Sequence, residues 1–147
     1  MVSVDLIASG DTVSHFHAVV SGYLVMRENE IALLDIKIED DWKQTPYILI
    51  EHPDLKYALM TQLPLMGGGV SIFFHLSEVE GTVDFRPQHG VYIIRPTVIR
   101  ARETRQAEPK EIDFCPTAIQ NGKERFKKSE QLPDYYEELG LQGPKYS

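Results

Sequence analysis

Apolar and polar residues alternate along most of this chain with a period of two. Such alternation is typical of β-strands that bury one face and expose the other. A polar or glycine- and proline-containing segment separates each run from the next, as expected of turns between strands. The runs that show this pattern are residues 15–26, 31–38, 47–51, 70–85 and 91–103.

The period changes once, between the third run and the fourth. Pro53 precedes an acidic first turn, and Pro64 and a triple glycine follow the segment. Between them, apolar residues recur at intervals of three and four, which predicts one short helix with a narrow apolar stripe. The residues of that stripe are Leu55, Ala58, Leu59 and Leu63.

The predicted order is three strands, a short helix and two strands, and a glycine, Gly22, lies inside the first strand. This order resembles the OB-fold, an all-β, five-stranded Greek-key barrel with a helix between strands three and four. The resemblance covers residues 12–105 and rests on element order alone. A small sandwich or an SH3-like barrel has a similar pattern and stays open as an alternative.

The alternation also predicts which side chains face the core. In the first strand Phe16, Ala18 and Val20 point inward. Gly22 and Gly81 are expected to bend their strands, and Pro96 indicates an edge or a bulge in the last strand. In the second strand we expect an inward row of Ala32, Leu34, Ile36 and Ile38, with Ile31, Leu33, Asp35 and Lys37 opposite.

The alternation fades in the last part of the chain. We therefore predict a barrel over residues 1–106 and a loosely ordered C-terminal extension over residues 107–147. Within the extension, residues 132–139 carry a spacing that suits one short helix. No internal repeat is present.

Composition and charge place the protein among ordinary single-domain globular proteins. The chain has 147 residues, a net charge of −7 and one cysteine, so a disulfide within the chain is impossible. The first residues lack the features of a signal peptide and no apolar run has the length of a membrane span, so we expect a cytoplasmic protein without membrane contact. Positive charge concentrates between Arg95 and Arg105.

The exposed faces of the first three predicted strands form the candidate binding surface. Apolar and tyrosine side chains on such a face are typical of protein interfaces. We therefore predict a non-enzymatic binding module that acts by protein association or self-association, a homo-oligomer being the simplest form. The predicted contact residues are His15, His17, Tyr23, Leu33, Tyr47 and Leu49.

Single-stranded nucleic acid is an alternative ligand, since aromatic platforms beside arginines suit stacked bases and phosphates. Asp35 and Glu51 on the same predicted surface oppose it, because they repel phosphates. The residues for this function are Phe73, Arg86, Tyr92, Arg95, Arg100 and Arg102.

A metal site is the second alternative, together with catalysis. His15 and His17 share one face of a strand, and His75 could join them from a neighbouring strand, with Glu51 or Glu78 as a further ligand. Solvated histidines are the commoner case, so no metal and no cofactor are expected. The triple glycine lacks the Lys-Ser/Thr of a phosphate-binding loop, and Cys115 is interpreted as an inert thiol.

Overall fold

The computed structural model describes residues 2–9, 15–27, 30–38, 44–64 and 73–130. Strands dominate these ranges, and the longest helix lies at their C-terminal end. The elements in chain order are β1 (Val2–Ser3), α1 (Val4–Ala8), β2 (Phe16–Arg27), β3 (Glu30–Leu34), β4 (Tyr47–Ile50), α2 (Leu55–Gln62), β5 (His75–Arg86), β6 (Val91–Ala101), β7 (Lys110–Glu111) and α3 (Pro116–Glu130).

Five of the strands close into a barrel. They pair in the order β2-β3-β4-β6-β5, and β5 pairs back onto β2. The β4–β6 pair is parallel, and the other four pairs of the barrel are antiparallel. With α2 between β4 and β5, this is an OB-like barrel, as the order of elements predicted. The strand β1 pairs with β2 in a parallel orientation, and β7 pairs with β6 in an antiparallel orientation.

Two glycines allow neighbouring backbones to approach closely. A Cβ at Gly22 would lie 2.3 Å from the carbonyl oxygen of Leu34, and one at Gly81 would lie 2.1 Å from that of Arg95. The β5–β6 ladder shifts register between Glu80 and Gly81, opposite Pro96. The bulge expected at Pro96 is therefore present, and both glycines lie where a side chain would force strands apart.

The barrel core is formed by one face of each strand together with residues of α1 and α2. In β2 the inward residues include Ala18, Val20 and Leu24, as the alternation predicted. The largest side chain that is fully buried is Phe73. Burying aliphatic and aromatic groups in this way contributes most of the stability of such a domain.

The predicted orientation of β3 is wrong. Leu33 pairs with Leu24 and Ile48, and all three are fully buried in the barrel core. Ile36, predicted to point inward, is 56% exposed and follows the end of the strand. The stretch "IALL" is apolar on both faces, so its pattern could not indicate which face is inside. The pairing with β2 decides it, because directly paired residues share a face of the sheet.

Residues 107–130 are more regular than the expected loose order. They form β7 and α3, and α3 packs on α2. A Cβ at Gly122 would lie 2.4 Å from the carbonyl oxygen of Tyr57, so glycine is what permits this close helix contact. The sequence pattern missed α3 because few apolar residues, Ile119 among them, mark its buried side. The division of the chain at residue 106 stays a prediction, and the expected helix at 132–139 lies outside the described residues.

Candidate functional site

The outer side of β2, β3 and β4 is apolar, although a solvent-facing strand face is normally polar. In one cross-strand row, Leu34 lies between Tyr23 and Tyr47; in the next, Ala32 lies between Val25 and Leu49. Val25, Ala32 and Leu34 are fully buried beneath the half-buried Tyr23, Tyr47 and Leu49. We call these six residues the outer apolar face.

Three of the six predicted contact residues, Tyr23, Tyr47 and Leu49, therefore lie together on this face. Leu33 does not, because its side chain is fully buried inside the barrel. Leu33 is thus excluded as a surface residue. Leu34, the next residue along the chain, takes its place on the outer side.

A cleft of about 760 Å³ borders the outer apolar face at the C-terminal end of β4. Leu49 and Ile93 lie side by side in it, because they are partners in the parallel β4–β6 pair. Its other lining residues include charged groups of both signs, among them Glu30, Lys56 and Arg95. An apolar floor with a mixed charged rim is typical of a pocket that receives an apolar anchor from a partner chain.

His15 and His17 lie elsewhere. Along β2, Tyr23 lies six positions after His17, a distance of about 20 Å. The Nδ1 atom of His15 lies 3.0 Å from Oδ1 of Asp84, and Nε2 of His17 lies 3.1 Å from Oε2 of Glu80. The histidines therefore belong to a charged region between β2 and β5 rather than to the outer apolar face.

The charged region continues across β5 and β6 as a series of ion pairs. Arg86 and Arg95 both contact Glu51, and Arg95 also contacts Asp84. The hydrogen bond from Arg95 is the main reason why the pKa of Asp84 lies below its ordinary value of 3.8; partial removal from water raises that pKa, and the hydrogen bond with His15 lowers it again.

Arg100 extends the same series, with its guanidinium 3.5 Å from Glu78 and 3.7 Å from Glu80. Three of the four arginines expected to hold phosphates, Arg86, Arg95 and Arg100, therefore contact carboxylates. A phosphate at this surface would have to compete with those carboxylates, which disfavours nucleic acid binding there.

The aromatic residues of the nucleic-acid alternative also fall in separate places. Phe73 is fully buried in the core and cannot stack on a base. Tyr92 is half-buried, with its ring centroid 4.9 Å from that of Phe85. The exposed neighbour of Phe73 is Phe74, which stacks on Tyr23. The run "IFFH" is apolar on both faces, so alternation alone could not distinguish these two phenylalanines.

The three histidines of the metal alternative do not converge. His75 pairs with Leu24, seven residues along β2 from His17, and is only 5% exposed. Its two ring nitrogens lie 3.0 Å and 2.9 Å from the carbonyl oxygens of Arg102 and Pro64. Within the described ranges, no three histidine, cysteine or acidic side chains are grouped so that they could hold a metal ion.

Cys115 is exposed and lies immediately before α3. Its backbone N–H donates a hydrogen bond of 3.1 Å to Asp113, and this bond is the largest cause of a lowered pKa of the Asp113 carboxyl. A hydrogen bond between the Cys115 side chain and the same carboxyl lowers this pKa further. The interpretation of Cys115 as an inert thiol stays a prediction.

Among the described residues, no helix combines the length and the apolar character needed to cross a membrane. No model of a known protein family matches the chain, and a search of curated proteins gives no match either.

Proposed function

We propose that this protein is a non-enzymatic binding module that self-associates through the outer apolar face. The observation that carries the proposal is the apolar cluster on the outer side of β2, β3 and β4, where the half-buried Tyr23, Tyr47 and Leu49 offer accessible surface in place of the polar residues of a solvated strand face. Tyrosine is enriched in the centres of protein interfaces because its ring offers apolar area and its hydroxyl stays hydrogen-bonded.

A second copy of the chain suits this face as a partner. In a two-fold symmetric contact the same surface meets itself, so the surface must not repel its own image. The outer apolar face carries no charged side chain, and the cleft beside it is lined by an acidic residue, Glu30, and by a basic residue, Lys56. In a two-fold contact, the basic residue of one copy can therefore lie opposite the acidic residue of the other copy.

The cleft is a second observation that supports self-association. Association energy concentrates in a few apolar anchors that enter pockets on the partner. The cleft at Leu49 and Ile93 offers such a pocket, and Leu49 belongs both to it and to the outer apolar face. The cytoplasmic location expected from the sequence is part of this proposal.

The test replaces Leu49 by lysine and measures the molar mass in solution by light scattering over a range of concentrations. Leu49 is half-buried on the outer side, so the stem of a lysine can cover its neighbours while the ammonium reaches water. We expect a dimeric mass for the unmodified protein and a monomeric mass for Leu49→Lys. Charge burial in the contact is the reason for the loss.

Val19→Lys is the matched control. Val19 is also a half-buried aliphatic residue of a barrel strand, but it pairs with Glu80 in the charged region. This variant should keep the dimeric mass. A monomeric mass of the unmodified protein at every soluble concentration would overturn the proposal, as would equal dissociation by both variants.

A further inference from the structure

A second cleft, of about 340 Å³, lies at the opposite end of β5 from the Phe85–Tyr92 pair. Phe74, which precedes β5, lines one side of it, and Arg102, which follows β6, lines another. The two segments are held together because the backbone N–H of Arg102 donates a 3.0 Å hydrogen bond to the carbonyl oxygen of Leu76. We call this cavity the Phe74 cleft.

An aromatic stack forms the floor of the Phe74 cleft. The ring centroids of Tyr23 and Phe74 are 4.7 Å apart and the ring planes differ by only 9°. Tyr23 is half-buried, whereas Phe74 is 37% exposed. Phe74 therefore offers accessible ring surface to a further planar group, supported from behind by a second aromatic ring.

Positive charge borders the same cleft. Arg102 and Arg105 both line it, and no acidic side chain of the described residues forms an ion pair with either of them. One nitrogen of Arg102 donates to the carbonyl oxygen of Ala107, which leaves most of its five N–H groups for a ligand. The acid that also lines the cleft, Glu103, lies 3.6 Å from Lys110, so its charge is partly offset.

Arg102 and Arg105 thus differ from the arginines of the charged region. Arg86, Arg95 and Arg100 contact carboxylates, and an anion could reach them only by displacing those contacts. At the Phe74 cleft, Arg102 and Arg105 form no ion pair with a carboxylate of the described residues and lie beside the exposed ring of Phe74. Planar groups bind to rings by stacking, and phosphates bind to guanidinium groups through charge-assisted hydrogen bonds.

We infer that the Phe74 cleft binds one nucleotide, with the base stacked on Phe74 and the phosphate held by Arg102 and Arg105. The cleft volume lies in the range of small-molecule sites, about 300 to 1,000 Å³, and near its lower end, which suits a single nucleotide rather than a larger cofactor. His75 also lines the cleft, and both of its ring nitrogens already have carbonyl oxygens as hydrogen-bond partners. The inference does not require self-association, although Tyr23 belongs both to this cleft and to the outer apolar face.

The experiment titrates the full-length protein with adenosine monophosphate in a calorimeter at low salt, and compares adenosine and inorganic phosphate. We expect measurable binding of the nucleotide that weakens as salt rises, because phosphate contacts are salt-sensitive. Adenosine and phosphate, which each lack one half of the interaction, should bind more weakly. Adenosine binding as tight as nucleotide binding would overturn the inference, since the arginines would then contribute nothing.

Two variants locate the site. Phe74→Ala should weaken nucleotide binding about tenfold or more through loss of stacking. Its control is Phe85→Ala, which removes a phenylalanine of nearly the same exposure, 38% against 37%, from another part of the surface. Arg105→Ala should weaken binding and reduce its salt dependence, whereas Arg95→Ala should leave both unchanged. Arg105 is exposed, so this variant remains informative even if Phe74→Ala impairs folding.

A tetranucleotide of deoxyadenosine distinguishes the two sources of such a ligand. Equal affinities for the mononucleotide and the tetranucleotide, both reduced by Phe74→Ala, would assign the site to free nucleotides. Tighter binding of the tetranucleotide, reduced by the same variant, would assign it to one unit of a single strand. If neither ligand binds, or if Phe74→Ala and Phe85→Ala have the same effect, the inference is wrong.

Discussion

Replacing Leu33 by alanine tests the inner arrangement of the barrel. Leu33 lies between Leu24 and Ile48 in a cross-strand row, and all three side chains are fully buried. Truncating a buried leucine removes its transfer free energy and leaves a cavity, which together cost about 2 to 5 kcal/mol. Taking about 3 kcal/mol, the melting temperature of a chain of this size should fall by about 6 to 12 °C.

Urea denaturation, followed by circular dichroism, measures this loss as a lower transition midpoint at an unchanged slope. Ile36→Ala is the control, because Ile36 is 56% exposed. It should change the free energy of unfolding by less than about 0.5 kcal/mol. The orientation expected from the sequence requires the reverse order, with Ile36 inside and Leu33 outside. A larger loss for Ile36→Ala than for Leu33→Ala would therefore refute the register of β3.

Two further predictions concern the β5–β6 pair. In Gly81→Ala the new Cβ meets the backbone carbonyl of Arg95, so the strands must separate, and we expect a loss of about 1 to 3 kcal/mol in the free energy of unfolding. In Gly90→Ala the new Cβ meets no atom, and the only cost comes from the positive φ of that residue. Equal losses in the two variants would contradict this reasoning. In Asp84→Asn the acid dependence should change, because Arg95 above all holds the pKa of Asp84 below 3.8 in the folded state. A carboxyl with a lowered folded pKa stabilises the protein above its unfolded pKa and loses that contribution as pH falls, so the unmodified protein should lose stability more steeply below pH 3.8 than the variant. Denaturation curves measured across this range give the two slopes, and identical slopes would count against the ion pair.

The order of elements could be predicted because strand and helix periods are local properties. Alternation in residues 15–26 reports one buried face, and the structure places β2 at Phe16–Arg27. The spacing of Leu55 and Leu59 reports a helix, and α2 occupies Leu55–Gln62. Closure of five such strands around one core then follows from the need to bury each apolar face and to leave no open sheet edge.

The orientation of β3 and the role of the two adjacent phenylalanines could not be predicted. Leu33 and Leu34 are both buried, one inside the barrel and one beneath Tyr23 and Tyr47 on the outside. Where both faces of a strand are apolar, alternation disappears and only pairing with the neighbouring strands assigns each residue to a side. The same argument separates Phe73 from Phe74.

The ion-pair partners of the charged residues could not be predicted from the sequence either. Glu51 and Arg86 are 35 positions apart in the chain, and only the barrel brings them together. The sequence indicated that all of these arginines could bind phosphates. In the structure Arg86, Arg95 and Arg100 contact carboxylates, whereas Arg102 and Arg105 lie beside an aromatic stack. Long-range partners depend on strand register, which the composition of a segment does not encode.

The amino-acid pattern alone was sufficient for an all-β barrel with one helix between its third and fourth strands, because periodicity acts over a few neighbouring residues. The closed sheet decided which apolar residues form an outer face and which cations keep no acidic partner among the described residues. Those properties depend on contacts between distant segments, since burial and charge neutralisation are set by whichever side chain lies across the ladder.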